Sequence, residues 1–214
     1  MNFNWDKYKT DKNDSGHSYC RAYDKFLLKN SSNYKKVLEI GVRKGSIELW
    51  LSYFPNAKIY GIDIKDPSYT NERFTFEVVD QLSEKSLTNF FEKHGYDFDV
   101  IIDDGPHISP AQIKTFNIAF PKMKNDSFYI VEDLDEKDDD NIKNYFGEKM
   151  DSEHTFLELS KLIYEKNEKI HQNKYLTNSK EIINSVKFME IESGDKIKWS
   201  HHKIPSKIAF FIKG

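Results

Sequence analysis

The sequence predicts an α/β domain with a mostly parallel, Rossmann-like sheet covered by helices on both faces. Two observations carry that prediction. Short apolar runs recur along the first 134 residues as Val37–Ile40, Lys58–Ile64, Phe74–Val79, Asp99–Asp103 and Ser127–Glu132. Continuous runs of this length imply strands buried on both faces. Stretches with helical patterning separate them, and that alternation implies parallel βαβ units with right-handed crossovers.

Each element follows in order. The first 34 residues read as an N-terminal helical extension. Val37–Ile40 is the first strand, followed by a glycine-bearing turn and a helix through Ile47–Tyr53. Lys58–Ile64 is the second strand and Phe74–Val79 the third, with a helix over Glu84–Lys93 after it. Asp99–Asp103 is the fourth strand, a helix near Pro110–Phe120 follows, and Ser127–Glu132 is the fifth strand. The acidic run Asp135–Asp140 reads as a solvated loop or helix start. Residues from about 135 to 180 read as a helical insertion or lid, with apolar spacing in Phe156, Leu159, Leu162 and Ile163. Val186–Ile191 and Ile208–Ile212 close the sheet around a turn at Ser193–Asp195, giving seven strands in one domain spanning residues 1–214.

Composition narrows the class. The 214 residues suit a single full-sized core, and 38% hydrophobic content with 16 Phe and 12 Tyr excludes a wholly disordered chain. Net charge is −3 with no strong basic face, which argues against a nucleic-acid partner. Cys20 is the only cysteine, so neither an intrachain disulfide nor a thiolate zinc site is available. No apolar run approaches membrane-spanning length, and MNFNWDKYKT lacks the apolar core of a signal peptide. A cytoplasmic location without membrane association is expected.

Chemistry concentrates at the strand ends. Glu39-Ile-Gly41-Val-Arg-Lys-Gly45 joins the first strand to its helix, where glycines let backbone approach a ligand and free N–H groups face outward. Asp63 ends the second strand, 22 residues after Gly41, where a carboxylate can accept both ribose hydroxyls. Arg43 occupies the middle glycine slot of a dinucleotide fingerprint, which disfavours a pyrophosphate. An acidic Glu39 repels phosphate and suits a cationic methionine amine. Both points favour S-adenosylmethionine (SAM) over a nicotinamide dinucleotide.

The fourth strand ends in Asp103-Asp104-Gly105-Pro106-His107 and the fifth in Glu132-Asp133. First, fourth and fifth strands are neighbours in a doubly wound sheet, so these carboxylates are expected to converge. Hard oxygen ligands suit Mg²⁺ or a similar divalent ion, whereas carboxylates crowded without a cation repel one another. Such an ion lowers the pKa of an acceptor hydroxyl, and His107 is placed to take its proton. His201-His202 reads as a surface turn.

With these residues in view, the chain resembles the metal-dependent SAM O-methyltransferases that act on natural-product sugars, of the mycinamicin 2''-O-methyltransferase (macrolide sugar) type. The resemblance rests on KYKTDK (Lys7–Lys12), GHSY (Gly16–Tyr19), VLEIGVRKGSIELW (Val37–Trp50), YFPNAKIYGIDI (Tyr53–Ile64), VDQ (Val79–Gln81), IIDDGPHISPAQIKTFNIAFP (Ile101–Pro121) and YIVEDL (Tyr129–Leu134). It implies a class I SAM methyltransferase fold. It implies Asp104, Glu132 and Asp133 as metal ligands, His107 as base, and Asp63 on the SAM ribose. Asp80 and Gln81 would lie by the adenine, and Thr10, Asp11, His17 and Tyr19 would line the active site. Thr10, Tyr19 and Asp103 are counted with the cofactor-binding residues. The expected partner is a small-molecule acceptor, a sugar or glycosylated metabolite, and self-association stays open. Two rival readings are a nicotinamide-dependent oxidoreductase or epimerase, and a non-catalytic SAM-fold partner protein.

Overall fold

The computed structural model describes residues 3–134, 155–173, 175–193 and 207–214. Asp135–Asp140, the rest of the insertion up to 154, Gly194 and Asp195 of the expected turn, and His201-His202 lie outside them. Seven strands form one sheet: β1 Lys36–Ile40, β2 Lys58–Asp63, β3 Phe74–Val78, β4 Val100–Asp103, β5 Phe128–Val131, β6 Val186–Ser193 and β7 Lys207–Lys213. Their spatial order is β3-β2-β1-β4-β5-β7-β6. The first five strands pair in parallel, and β7 pairs antiparallel with both β5 and β6. The expected seven-stranded, mostly parallel sheet is therefore present.

Helices follow the strands as the sequence patterning requires. They are α1 Cys20–Phe26, α2 Lys44–Tyr53, α3 Glu84–His94, α4 Ser109–Ala119, α5 Phe156–Tyr164 and α6 Ser179–Ser185. Ser83 caps α3 by accepting from the Ser86 N–H, and Gly95 ends it at φ +82°. Pro110 sits in the first turn of α4, where its missing N–H costs no helical bond.

Successive residues of a strand point to opposite faces. Leu38 and Ile40 of β1 pack into one core cluster with α3, α4 and α5. Val37 packs on the other face with α1 and α2. The described part of the insertion is a packed layer: Phe156, Leu159 and Ile163 are buried, and the Phe156 N–H donates to Ser109 Oγ of α4. The N-terminal extension is helical only at α1 and in short 3₁₀ turns. Its residues 8–19 run as an irregular segment over the sheet edge.

β1 and β4 are neighbours, while the chain winds outward from them through β2 and β3 on one side and β5 on the other. Their carboxyl ends therefore open at the point where strand order reverses, the place where α/β sheets accept ligands.

Candidate active site

Three carboxylates meet at the carboxyl ends of β4 and β5. The ladder fixes their backbone: the Asp104 N–H donates to Ile40 O at 3.0 Å and the Glu132 N–H to Asp103 O at 3.0 Å. Asp133 and His107 then turn back toward each other through left-handed backbone, at φ +52° and +54°. Such conformations are unfavourable for residues with a Cβ and cluster where a site holds side chains in place. Here they aim two side chains at one point. His107 Nδ1 lies 3.6 Å from Asp133 Oδ2, and its Nε2 lies 4.0 Å from Asp104 Oδ1. One ligand atom from each of Asp104, His107 and Asp133 falls within 4.8 Å of the others. His107 Nδ1 is buried and has no hydrogen-bond partner among the described residues. Two converging carboxylates with an imidazole between them, its buried Nδ1 orphaned toward Asp133, offer hard oxygen donors that fit a divalent cation.

The N-terminal segment covers this cluster. The Tyr19 hydroxyl donates to Asp133 Oδ1 at 2.8 Å, and His17, stacked on Tyr19, faces the same carboxylate at 3.8 Å. Burial pushes the Asp133 carboxyl up, but His107, His17 and the Tyr19 bond outweigh it and hold it below the usual range. Lys12 is 1% exposed, and its ammonium donates to Asp104 Oδ2 at 2.6 Å and Glu132 Oε2 at 2.8 Å. Burial alone would favour neutral Lys12, yet the two carboxylates hold it firmly protonated. The Tyr23 hydroxyl donates to the other Glu132 oxygen. Burial pushes the Glu132 carboxyl up, Lys12 opposes this, and Asp104 and Asp133 add to it.

Glu132 thus faces Lys12 and Tyr23. The cluster that comes together is Asp104, His107 and Asp133, where the sequence suggested Asp104, Glu132 and Asp133. Glu132 remains joined to Asp104 through the shared ammonium. Lys12 and Tyr23 were not singled out from sequence. A lysine between Asp11 and Asn13 carries no periodicity that would betray its burial, and Tyr23 reads as an ordinary helix residue.

The residues expected around a cofactor divide into two groups. Gly41 (φ +84°) and Asp63 lie at the open edge, where the Gly41 N–H donates to Ile62 O and Asp63 Oδ1 accepts from the Lys65 N–H. A Cβ on Gly41 would fall 2.0 Å from Asp104 O, so glycine there lets the β1 and β4 loops touch. Asp80 is exposed and accepts from the Leu82 N–H. Ile64 and Val78, next to these acids in the chain, are 70% and 67% exposed, leaving apolar surface beside carboxylates.

Glu39, Gln81 and Asp103 instead turn inward. Glu39 is fully buried and accepts from Ser46 Oγ and Trp50 Nε1, both at 2.7 Å. Its side chain lies beneath the loop on the α2 face, where Ser46 and Trp50 each take one of its oxygens. Burial pushes its carboxyl up to about 7, against the pull of Lys12. Asp103 accepts from both Gln81 Nε2 (2.8 and 2.9 Å) and the Tyr129 hydroxyl (3.1 Å), on the opposite face. Burial pushes it up to about 6, opposed by those two bonds. Gln81 Nε2 also donates to Thr115 Oγ1 at 3.0 Å, while its Oε1 is buried without a hydrogen-bond partner among the described residues.

Gly45 serves packing: a Cβ there would fall 1.9 Å from Lys9 O, where the N-terminal segment crosses α2. Thr10 Oγ1 accepts the Lys12 N–H at 3.2 Å. Two concavities, of about 140 Å³ beside Tyr19 and about 400 Å³ between Tyr8 and Tyr69, are lined by none of Asp104, Asp133 and Asp63.

No family model matches the chain. It is 34% identical over 137 residues to the demethylmacrocin O-methyltransferase of Streptomyces fradiae, covering 60% of this chain and 34% of that protein. It is 33% identical over 137 residues to the mycinamicin VI 2''-O-methyltransferase of Micromonospora griseorubida, covering 60% and 34%. The chain spans about a third of the length of these curated relatives. Among solved structures it resembles the MycE methyltransferase of the mycinamycin biosynthetic pathway in complex with Mg and SAH. The TM-score is 0.71 at 25% identity, covering 98% of this chain and 53% of that one. The fold is that of the class I SAM methyltransferases, and the likeness to macrolide-sugar O-methyltransferases expected from the motifs is present. No helix among the described residues is long and apolar enough to cross a membrane.

Proposed function

We propose that this chain is a SAM-dependent, metal-assisted O-methyltransferase acting on a hydroxyl of a sugar or another small polar molecule. The observation that carries the reading is the convergence of Asp104, Asp133 and His107 at the strand-order reversal, beside the loop of Gly41. Asp63, with exposed Ile64 next to it in the chain and exposed Val78 opposite it on β3, offers the pairing of a carboxylate for ribose hydroxyls and an apolar surface for a base. The activities for which the relatives are named, and the Mg and SAH held in the MycE complex, support the same chemistry.

The sulfonium methyl is already activated, so the protein must align and deprotonate a nucleophile. Asp104 and Asp133 would hold the divalent ion, with Glu132 the third carboxylate of the group. When bound, the ion polarises the acceptor hydroxyl and lowers its pKa. With its proton on Nδ1 toward Asp133, His107 keeps Nε2 as an acceptor. The hydroxyl proton passes to that nitrogen, the oxygen lone pair forms the new O–CH₃ bond, and the C–S⁺ bond breaks to leave a neutral thioether. Tyr19 steadies Asp133 and thereby the imidazole. The acceptor is a small molecule in a cytoplasmic setting, with nucleic acid and membrane playing no part.

His107→Ala should bind SAM with unchanged affinity by calorimetry yet lose turnover by roughly 10²–10⁴-fold, the usual worth of a general base. Excess chelator should abolish activity. Full activity in chelator removes the metal from this reading. SAM binding that weakens in step with turnover in His107→Ala removes the base.

A further inference from the structure

We propose that Lys12 is a tethered counter-cation of the carboxylate cluster, competing with the divalent ion for Asp104 and Glu132. This rests on the reading of that cluster as a metal site. Lysine is almost never fully buried unless paired. Here the ammonium sits between one oxygen of each carboxylate, at 2.6 and 2.8 Å. Those are two of the three carboxylates that would hold a divalent ion.

The lysine is carried there by a built arm. The Lys12 N–H donates to Thr10 Oγ1, and its carbonyl accepts from the Cys20 N–H at 2.8 Å. Three residues upstream, the Lys9 carbonyl lies on Gly45 so closely that no side chain fits between them. Tyr19 and Tyr23, on the same stretch of chain, engage Asp133 and Glu132.

Two consequences follow from placing a fixed positive charge there. Without metal, the ammonium relieves repulsion among Asp104, Glu132 and Asp133, so the site stays formed. With metal, the incoming ion meets a resident charge of its own sign and must draw Glu132 and Asp104 Oδ2 away from it. Affinity is therefore held below what the carboxylates alone would give. By linkage, metal loading loosens the docking of the arm as much as the arm weakens metal binding. The arm lies over the cluster, so the strength with which the site is covered depends on the occupant of the cluster.

The test is Mn²⁺ titration of the full chain at neutral pH, with free Mn²⁺ read by electron paramagnetic resonance. Lys12→Met should bind Mn²⁺ at least about tenfold more tightly than wild type, equivalent to roughly 1.4 kcal/mol. Equal or weaker binding by Lys12→Met, with wild type still binding, overturns the competition and leaves the metal reading standing. No binding by either protein removes both. If Lys12→Met does not fold, reductive methylation of the wild-type chain with mass-spectrometric readout tests the same competition. Lys12 should be protected without metal and react at least about tenfold faster at saturating Mn²⁺. Unchanged protection with Mn²⁺ demonstrably bound overturns the proposal.

Discussion

At the scale of single residues, the sharpest consequence concerns Glu39, a buried carboxylate close to the site but not facing its cleft. Its pKa is raised from 4.5 to about 7, chiefly by burial. A carboxyl whose folded pKa lies above its unfolded value binds more protons in the folded state, so it costs stability as pH rises from about 4.5 through 7. Glu39→Gln keeps an acceptor for Trp50, turns an amide N–H toward Ser46 Oγ, whose hydroxyl can donate to Arg43 O, and removes that titration. The stability difference, variant minus wild type, should rise between pH 5 and pH 8 by on the order of 3 kcal/mol, because every tenfold change in proton affinity between the folded and unfolded chain is worth about 1.4 kcal/mol. Urea unfolding at the two pH values measures it, and a flat difference would mean that Glu39 is no more protonated when folded than when unfolded. The residue scale is also where the sequence was hardest to read. Asp104, His107 and Asp133 were legible because loops at the carboxyl ends of β4 and β5 can only open at one edge. Glu39 and Asp103 were not. Adjacent strand residues point to opposite faces, and a carboxylate in the last two positions of a strand can lie beneath the sheet edge when Trp50 or Gln81 is there to pair it. Lys12 depends on a fold-back over more than a hundred residues of sequence separation from Glu132, a contact that no local pattern announces.

At the scale of elements, the strands and the helices between them fall within a few residues of the sequence reading, because buried runs and their periodicity are local properties. The N-terminal extension does not: its course is set by contacts with α2, β4 and β5. That dependence makes a prediction at Gly45. A helix position occupied by glycine ordinarily gains up to about 1 kcal/mol on change to alanine. Here the added Cβ would fall 1.9 Å from the Lys9 carbonyl, a backbone atom that cannot turn aside. The arm must shift, and overpacking of this kind costs roughly 1–3 kcal/mol. Gly45→Ala should therefore melt several degrees below wild type and expose Lys12 to amine-reactive reagents. A melting temperature above wild type would show that helix propensity alone governs the position and that the arm does not rest there. The described helices of the insertion make the complementary point. Phe156 packs edge-on against Phe116 of α4 at 5.4 Å, so this part of the insertion belongs to the core although its polar composition suggested a lid.

At the scale of the whole molecule, the sheet decides which chemistries can be brought together. Order β3-β2-β1-β4-β5 puts Asp63, Gly41, Asp104 and Asp133 along one edge although they are spread over 93 residues of sequence. A SAM molecule laid along that edge would touch the ends of β1 and β2 and present its methyl group toward the β4–β5 cluster. Ligand that binds only the folded state stabilises it by mass action, by about 2.7 kcal/mol at a hundred times its dissociation constant. For a chain of this size each kcal/mol raises the melting point by roughly 2–4 °C. Saturating SAM or its demethylated product should thus raise the transition by about 5–10 °C, while NAD, which needs close backbone approach where Arg43 stands, should leave it unmoved. Asp63→Ala should shrink the shift without lowering the melting point of the free protein, because Asp63 bonds only a neighbouring backbone N–H among the described residues. A shift with NAD and none with SAM would reassign the edge to a dinucleotide. An undiminished SAM shift in Asp63→Ala would move the ribose elsewhere on the sheet.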